Sequence, residues 1–240
     1  MAKVFVVGAR GRMGRLVCDQ VEATDGLELA GGYDVHNIDE LDEFAPAVDL
    51  VIDFSQPAAL PHVAAYVRRT GASLVSGTTG LSEDDLALVR ELGACARVVW
   101  ASNYSLGVAV LRRVAADAAR ALAGWDVEIA ETHHNKKADA PSGTAVALLN
   151  AVDPEGEFSV AYGREGIVGA RPSREIGMHS LRGGTVAGTH EVHFFGIDEE
   201  LCLTHRATSR QIFVAGAVAC AMRLLAAEPG FHTFDDLMFS

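Results

Sequence analysis

The chain has 240 residues, 49% of them hydrophobic and 22% charged, enough to bury one sizeable core or two modest ones without covalent staples. A formal charge of −12 gives no general attraction to nucleic acid or to an anionic membrane, so an anionic ligand has to be captured by local positive groups. The four cysteines, Cys18, Cys95, Cys202 and Cys220, lie far apart with no C-x-x-C pair, which argues against a structural zinc site or a disulfide framework and predicts core thiols.

The N-terminal run MAKVFVVGAR enters a strand-like stretch with no cleavage-site pattern, and no apolar run reaches membrane-spanning length, so a cytoplasmic protein is expected. From residue 3 to about residue 104, apolar runs alternate with helical patterns: KVFVV, a helix through Met13, Leu16, Val17 and Val21, LELAGGY, and VDLVIDF. A helix over His62 to Arg68, strand ASLVS, a helix opened by Ser82 with Asp85 at the capping-box position, and strand RVVWA continue the rhythm. This βαβ alternation predicts an α/β fold with a Rossmann-like, doubly wound parallel sheet.

Beyond Asn103 the pattern changes to a long helix from Val108 to Leu122, strand DVEIAET, a polar loop, a short helix, and strand-like stretches near 157–162, 176–182, 185–196 and 200–208. A second α+β domain with a mixed or open sheet is expected here. The segment FVAGAVACAMRLLAA is helical again and can return to the first sheet. The expected division is a discontinuous first domain, 1–104 with 213–240, and a second domain, 105–212.

Strand KVFVV runs into Gly8-Ala9-Arg10-Gly11-Arg12-Met13-Gly14 and then a helix, a glycine-spaced turn whose backbone N–H groups can approach a pyrophosphate at the positive end of the helix. Twenty residues after Gly14, at the end of the second strand, Asp34 is spaced to accept the ribose hydroxyls of an adenosine. The competing reading is a tight turn with an ordinary loop carboxylate, but strand, helix and acid in register favour a nucleotide. Arg10 and Arg12 can pair with a 2′-phosphate and Asp34 would repel it, so the residues give opposite signals on NADH and NADPH. Two more turns, Gly77-Thr78-Thr79-Gly80 and Ala101-Ser102-Asn103-Tyr104, end strands at the carboxyl edge of the sheet, where they can line the nicotinamide or serve only as turns.

The segment Glu131-Thr132-His133-His134-Asn135-Lys136-Lys137-Ala138-Asp139-Ala140-Pro141-Ser142-Gly143-Thr144 gathers imidazoles, ammonium groups and a helix start in one loop. Ser142 fits an N-cap with Gly143 and Thr144 in the first turn, so free N–H groups there can hold a carboxylate, and Lys137 adds a point charge. An imidazole has an unperturbed pKa near neutrality, and a histidine beside such a site can deliver a proton to a ring as hydride arrives. A zinc site through His133 and His134 is disfavoured, since adjacent side chains on an extended segment point to opposite faces and no third ligand is spaced for it. No metal is expected.

The strings VVGARGRMGR, DFSQP, GTTG, ASNYSLGV, ETHHNKKADAPSGTA, YGREG, GMHSLRGG, LTHRATSR and FVAGAV occur in the order found in 4-hydroxy-tetrahydrodipicolinate reductases, and the chain resembles that family over nearly its whole length. The HH-x-x-K-x-DAPSGT pattern is specific to it, whereas the glycine turn is shared by many dehydrogenases. The resemblance implies NADH- or NADPH-dependent reduction of a small dicarboxylate ring, in a homotetramer built through the second domain's sheet. It implies His133 as proton donor and acceptor, Lys137 as a proton donor, and His134, Gly143 and Thr144 as holders of the substrate. It further implies that Gly8 to Met13, Asp34, Gly77 to Thr79 and Ala101 to Tyr104 bind the cofactor. Asn135-Lys136 replaces the Arg-His of some members. A nucleotide sensor without turnover, or a dehydrogenase of amino acids, is the rival reading; neither requires His133, Lys137 and the Ser-Gly-Thr turn together.

Overall fold

Val4, Phe5, Val6 and Val7 are all buried, the mark of a strand covered on both faces, which is the normal condition of a parallel sheet flanked by helices. In the computed structural model, which describes residues 1–43 and 45–240, the elements run β1 (Ala2–Val7), α1 (Arg12–Glu22), β2 (Leu27–Tyr33), α2 (Glu40–Glu43), β3 (Leu50–Asp53), α3 (Leu60–Thr70), β4 (Ser73–Ser76), α4 (Glu83–Glu91) and β5 (Arg97–Trp100). They continue with α5 (Leu106–Ala121), β6 (Asp126–His133), α6 (Gly143–Val152), β7 (Ser159–Ala161), β8 (Glu175–Arg182), β9 (Gly188–Phe195), β10 (Glu200–Ala207), α7 (Gln211–Ala226), β11 (Gly230–His232) and α8 (Phe234–Phe239). The chain divides into two compact units, Met1–Ser105 with Gln211–Ser240, and Leu106–Arg210.

The first unit is a six-stranded parallel sheet in the order β11-β5-β4-β3-β1-β2. Phe5, Val7, Val51, Leu74 and Val98 join Leu60, Tyr66, Val89 and Leu92 in one core beneath α3 and α4. On the opposite face α7 packs against α1 and against β3, β4 and β5, so the FVAGAV segment does return to this sheet. With β2 on one side of β1 and β3 on the other, the winding reverses between β1 and β3, and ligands bind at the carboxyl edge of such a switch point. Ser82 caps α4 in a complete capping box with Asp85. The sixth strand, β11, is three residues long, too short for a period to register in the sequence.

The second unit is a five-stranded mixed sheet, β10-β9-β6-β8-β7, in which β6, β8 and β7 are parallel to one another and β9 is antiparallel to both of its neighbours, β6 and β10. Leu111, Ala115, Ala145 and Leu148 from α5 and α6 close one face over Val127, Ile129, Ile176, Met178, Val192 and Phe194. The alternate residues, Glu128, His179, Glu191, His193 and Cys202 among them, form the other face. The expectation of core thiols holds for Cys220 alone: Cys18 is half-buried and Cys95 and Cys202 are exposed. Cys95 ends a surface 3-10 turn, and Cys202 stands on the edge strand β10, on the side the helices do not cover. Among the described residues no helix is long and apolar enough to cross a membrane.

Candidate active site

The glycine turn between β1 and α1 is shaped by contacts no side chain tolerates. Gly8 has φ 81°, and a Cβ on Gly14 would come within 2.0 Å of the Gly8 carbonyl oxygen. Gly11 caps α1 without a side-chain hydrogen bond, which leaves the first-turn N–H groups for an anion. A cavity of about 750 Å³ opens here, walled by Gly8, Arg10, Gly11, Arg12, Met13 and Asp34 together with Phe54, Ser55, Gly77 and Thr79. Its size, the uncapped helix start and the glycine cradle fit a dinucleotide. Arg10 and Asp34 are themselves paired, Nε to Oδ2 at 3.0 Å, and Asp34 also accepts from the His36 N–H at 3.0 Å. The unit is a Rossmann-like nucleotide-binding domain.

Other predicted cofactor residues lie outside the cavity wall. Thr78 is 2% exposed and its hydroxyl donates to Asp53, while Trp100 Nε1 donates to the Thr78 carbonyl. Tyr104 is likewise 2% exposed, its hydroxyl donating to the Ser76 carbonyl at 2.7 Å, and burial pushes its pKa well up. Ala9, Ala101, Ser102 and Asn103 are not part of the wall either. The buried Asp53 joins the turns after β3 and β4: it accepts from the hydroxyls of Ser55, Ser76 and Thr78, and burial raises its pKa against those bonds.

In the second unit, three rows of core residues turn polar at the same end of the sheet. Val127 and Ile129 are followed on their face of β6 by Glu131 and His133; Ile176 and Met178 are followed on β8 by Ser180 and Arg182; Phe194 and Val192 are matched on β9 by His190 and Gly188. Glu131 has a fully buried side chain. Arg182 grips it with both forks, Nη1 to Oε2 and Nη2 to Oε1 at 2.8 Å each, and the Ser142 N–H donates to Oε1 at 3.1 Å. His133 Nδ1 stands 2.5 Å from Oε2. Burial alone would raise the Glu131 pKa, but the bonds from Arg182, His133 and Ser180 outweigh it and hold it at about 2.

His190 meets the His133 ring edge-on, centroids 5.1 Å apart, and its Nε2 lies 3.1 Å from the Ser142 hydroxyl. Burial, then the neighbouring His133, pushes its pKa down to about 4, so it is neutral at pH 7. Ser142 caps α6 as expected, its hydroxyl accepting from the Ala145 N–H, and is itself buried. Gly143 and Thr144 form the first turn of α6. The loop between His134 and Ser142 is pinned by the His134 N–H to the Val186 carbonyl and the Asn135 N–H to the Gly184 carbonyl. Within it Lys137 Nζ donates to both Asp139 oxygens at 2.8 and 3.0 Å, which holds the Asp139 carboxyl below its usual range.

His133, Lys137, Ser142, Gly143 and Thr144 thus belong to one end of one sheet, and the nucleotide turn belongs to the other unit. Glu131, Arg182, His190 and Asp53, which the structure places in these buried polar clusters, were not singled out from the sequence. A signal existed for the first three: period-2 strands whose apolar face switches to Glu, Arg and His.

Residues 2–104 match the family model described as dihydrodipicolinate reductase, N-terminus, and residues 107–238 match the one described as its C-terminus. The chain is 41% identical to the 4-hydroxy-tetrahydrodipicolinate reductase of Akkermansia muciniphila, over 99% of this chain and 98% of that one. It is 39% identical to the reductase of the same name from Syntrophotalea carbinolica, over 99% of both. Its fold is similar to that of a dipicolinate-bound dihydrodipicolinate reductase from Paenisporosarcina sp. TG-14, with a TM-score of 0.77 and 22% identity over the whole of both chains. With both halves matched and near-complete coverage of its relatives, the chain belongs to the dihydrodipicolinate reductase family of oxidoreductases.

Proposed function

We propose that this chain reduces 4-hydroxy-tetrahydrodipicolinate, by way of dihydrodipicolinate, to tetrahydrodipicolinate in lysine and diaminopimelate biosynthesis, with hydride from NADH or NADPH. Full-length likeness to reductases of that name supports the reading. The observation that carries it is the His133 ring at the end of β6, held through Nδ1 by Glu131, with Gly188 before its Nε2 and the start of α6 bound to the same carboxylate.

The reduced nicotinamide, when bound, supplies the hydride that goes to ring C4. Gly8, Gly11 and the first turn of α1 receive its pyrophosphate, Asp34 takes the ribose hydroxyls, and Arg12, Met13, Gly77 and Thr79 line the remaining wall. Thr78, whose hydroxyl accepts from the Ser55 N–H, and Tyr104, whose ring lies 5.8 Å from that of Phe54, back that wall from behind. As hydride reaches C4, the electron pair left on the adjacent ring carbon takes a proton from His133 Nε2. Lys137 and the N-terminus of α6 at Gly143 and Thr144, with His134, hold the two carboxylates and stabilise charge as it develops. The Ser142 hydroxyl already serves α6 and His190, so its part is to fix that turn.

A homotetramer, formed through the sheet face that α5 and α6 leave open, is part of this reading; Leu181 and Phe195 stand exposed there at 52% and 38%. The setting proposed is the cytoplasm.

The test is oxidation of NADH and NADPH by the purified chain, with hydroxytetrahydrodipicolinate made in the cuvette by its synthase. Turnover that depends on that substrate supports the proposal. Cofactor binding without turnover, or equal oxidation with unrelated keto or imino acids, contradicts it.

A further inference from the structure

Glu131 occupies a position where the alternation of β6 calls for an apolar side chain, since it follows Val127 and Ile129 on the face closed by α5 and α6. A buried carboxylate at such a place is costly unless every oxygen is paired. Here both oxygens are: Oε1 accepts from Arg182 and the Ser142 N–H, and Oε2 accepts from Arg182 and faces His133 Nδ1. Arg182 alone would satisfy a structural ion pair. The bond to His133 is additional, and it is the shortest contact of the group at 2.5 Å.

We propose that Glu131, clamped by Arg182, is a positioning residue that fixes the His133 ring in one tautomer, with a proton held on Nδ1 and Nε2 left as the atom that exchanges a proton with substrate. The inference rests on the reading of His133 as proton donor and adds to it the tautomer that Glu131 imposes and the part of Arg182. A carboxylate gripped by a bidentate guanidinium stays ionised and can only accept, so the hydrogen of its contact with His133 belongs to Nδ1. The neutral ring then carries its lone pair on Nε2, and the charged ring has its transferable proton there.

The space before Nε2 is kept clear by Gly188, on which a Cβ would lie 3.1 Å from that atom. Arg182 also reaches the lysine loop. Its Nη2 donates to the Asp139 carbonyl at 2.7 Å, which ties the segment that carries Lys137 to the same carboxylate. One buried anion therefore aligns the proton donor, the N-cap of α6 and the lysine loop. This is the logic by which carboxylates orient catalytic or metal-bound imidazoles elsewhere.

The experiment is nitrogen NMR of histidine-labelled protein beside steady-state kinetics, for the wild type, Glu131→Gln, Arg182→Lys, His133→Gln and the Glu131→Gln/His133→Gln double variant, each checked by a thermal melt. The wild-type His133 ring is expected in the Nδ1–H form when neutral. In Glu131→Gln the amide can donate to Nδ1, so the ring should move toward the Nε2–H form while kcat falls roughly 10- to 100-fold, with cofactor affinity nearly unchanged. Arg182→Lys should move both readouts in the same direction by less, and decides the matter if Glu131→Gln does not fold. The double variant should be little slower than His133→Gln alone.

A folded Glu131→Gln enzyme at wild-type kcat beside an inactive His133→Gln overturns the proposal. So does a loss of kcat with the tautomer unchanged, which would make Glu131 only a scaffold. Wild-type kcat in His133→Gln instead overturns the reading of His133, and the positioning role falls with it; the NMR spectrum tells the two failures apart.

Discussion

The guanidinium of Arg10 and the carboxylate of Asp34 are partners, 3.0 Å apart in the wall of the nucleotide cavity. In the sequence these two argue for opposite cofactors; in the fold each engages the other. A ribose diol can join that pair by donating to Asp34, whereas a 2′-phosphate has to draw Arg10 away and approach a like charge. NADH is therefore expected to serve at least as well as NADPH, and Asp34→Ala, by freeing Arg10, should move the preference toward NADPH. The ratio of the two kcat/KM values at one ionic strength measures this. A wild-type preference for NADPH above tenfold, about 1.4 kcal/mol, runs against it.

The turn that holds the pyrophosphate leaves no room at Gly14. A methyl group there meets backbone at 2.0 Å and cannot be accommodated by a rotamer change. Gly14→Ala should weaken cofactor binding by roughly tenfold or more, since the turn has to open to admit it. Fluorescence titration with NADH reads the effect; unchanged affinity in a folded variant would mean that the turn is not the pyrophosphate site.

Acid stability of the second unit should fall in two stages. The folded-state pKa of His190 is depressed from 6.5 to about 4, so the unfolded chain binds more protons and stability is lost as pH falls from about 6.5 to about 4, by up to roughly 3 kcal/mol. Glu131 is depressed from 4.5 to about 2, and its contribution, full above pH 4.5, disappears as pH falls toward 2. Melting temperatures across pH should show both windows, and His190→Gln should flatten the upper one. A variant that loses stability between pH 6.5 and 4 as steeply as the wild type would remove His190 as the cause.

Much of the fold was legible because its signals are local. The βαβ rhythm, the Ser82 and Ser142 caps and the four long strands of the second unit follow from period and capping chemistry, and the structure has each of them. Strand β11 escaped because three residues carry no period. The site was half legible. His133, Lys137 and the α6 start sit in one segment, but Arg182 and His190 reach Glu131 and Ser142 only through strand pairing, across 51 and 48 residues of chain. Thr78 and Tyr104 sit in turns at strand ends, yet their side chains face inward because Asp53 and the Ser76 carbonyl need donors.

Lys137 is paired with Asp139 and 20% exposed on its side chain, within the loop that Arg182 tethers. If its ammonium both binds a carboxylate and favours the charge that develops on the ring, Lys137→Ala should raise KM and lower kcat together, the latter by roughly 10²-fold. Steady-state kinetics over a range of substrate separates the two. A rise in KM with kcat untouched would limit Lys137 to binding.

In the proposed reaction His133 delivers the proton that completes reduction of the ring. The most direct measurement is kcat of His133→Gln, with the melting temperature and NADH affinity of the same preparation as controls. A loss of roughly 10²-fold or more in kcat, the usual scale for a general acid, is expected with both controls near wild type. A folded variant that binds NADH and turns over at the wild-type rate would contradict it.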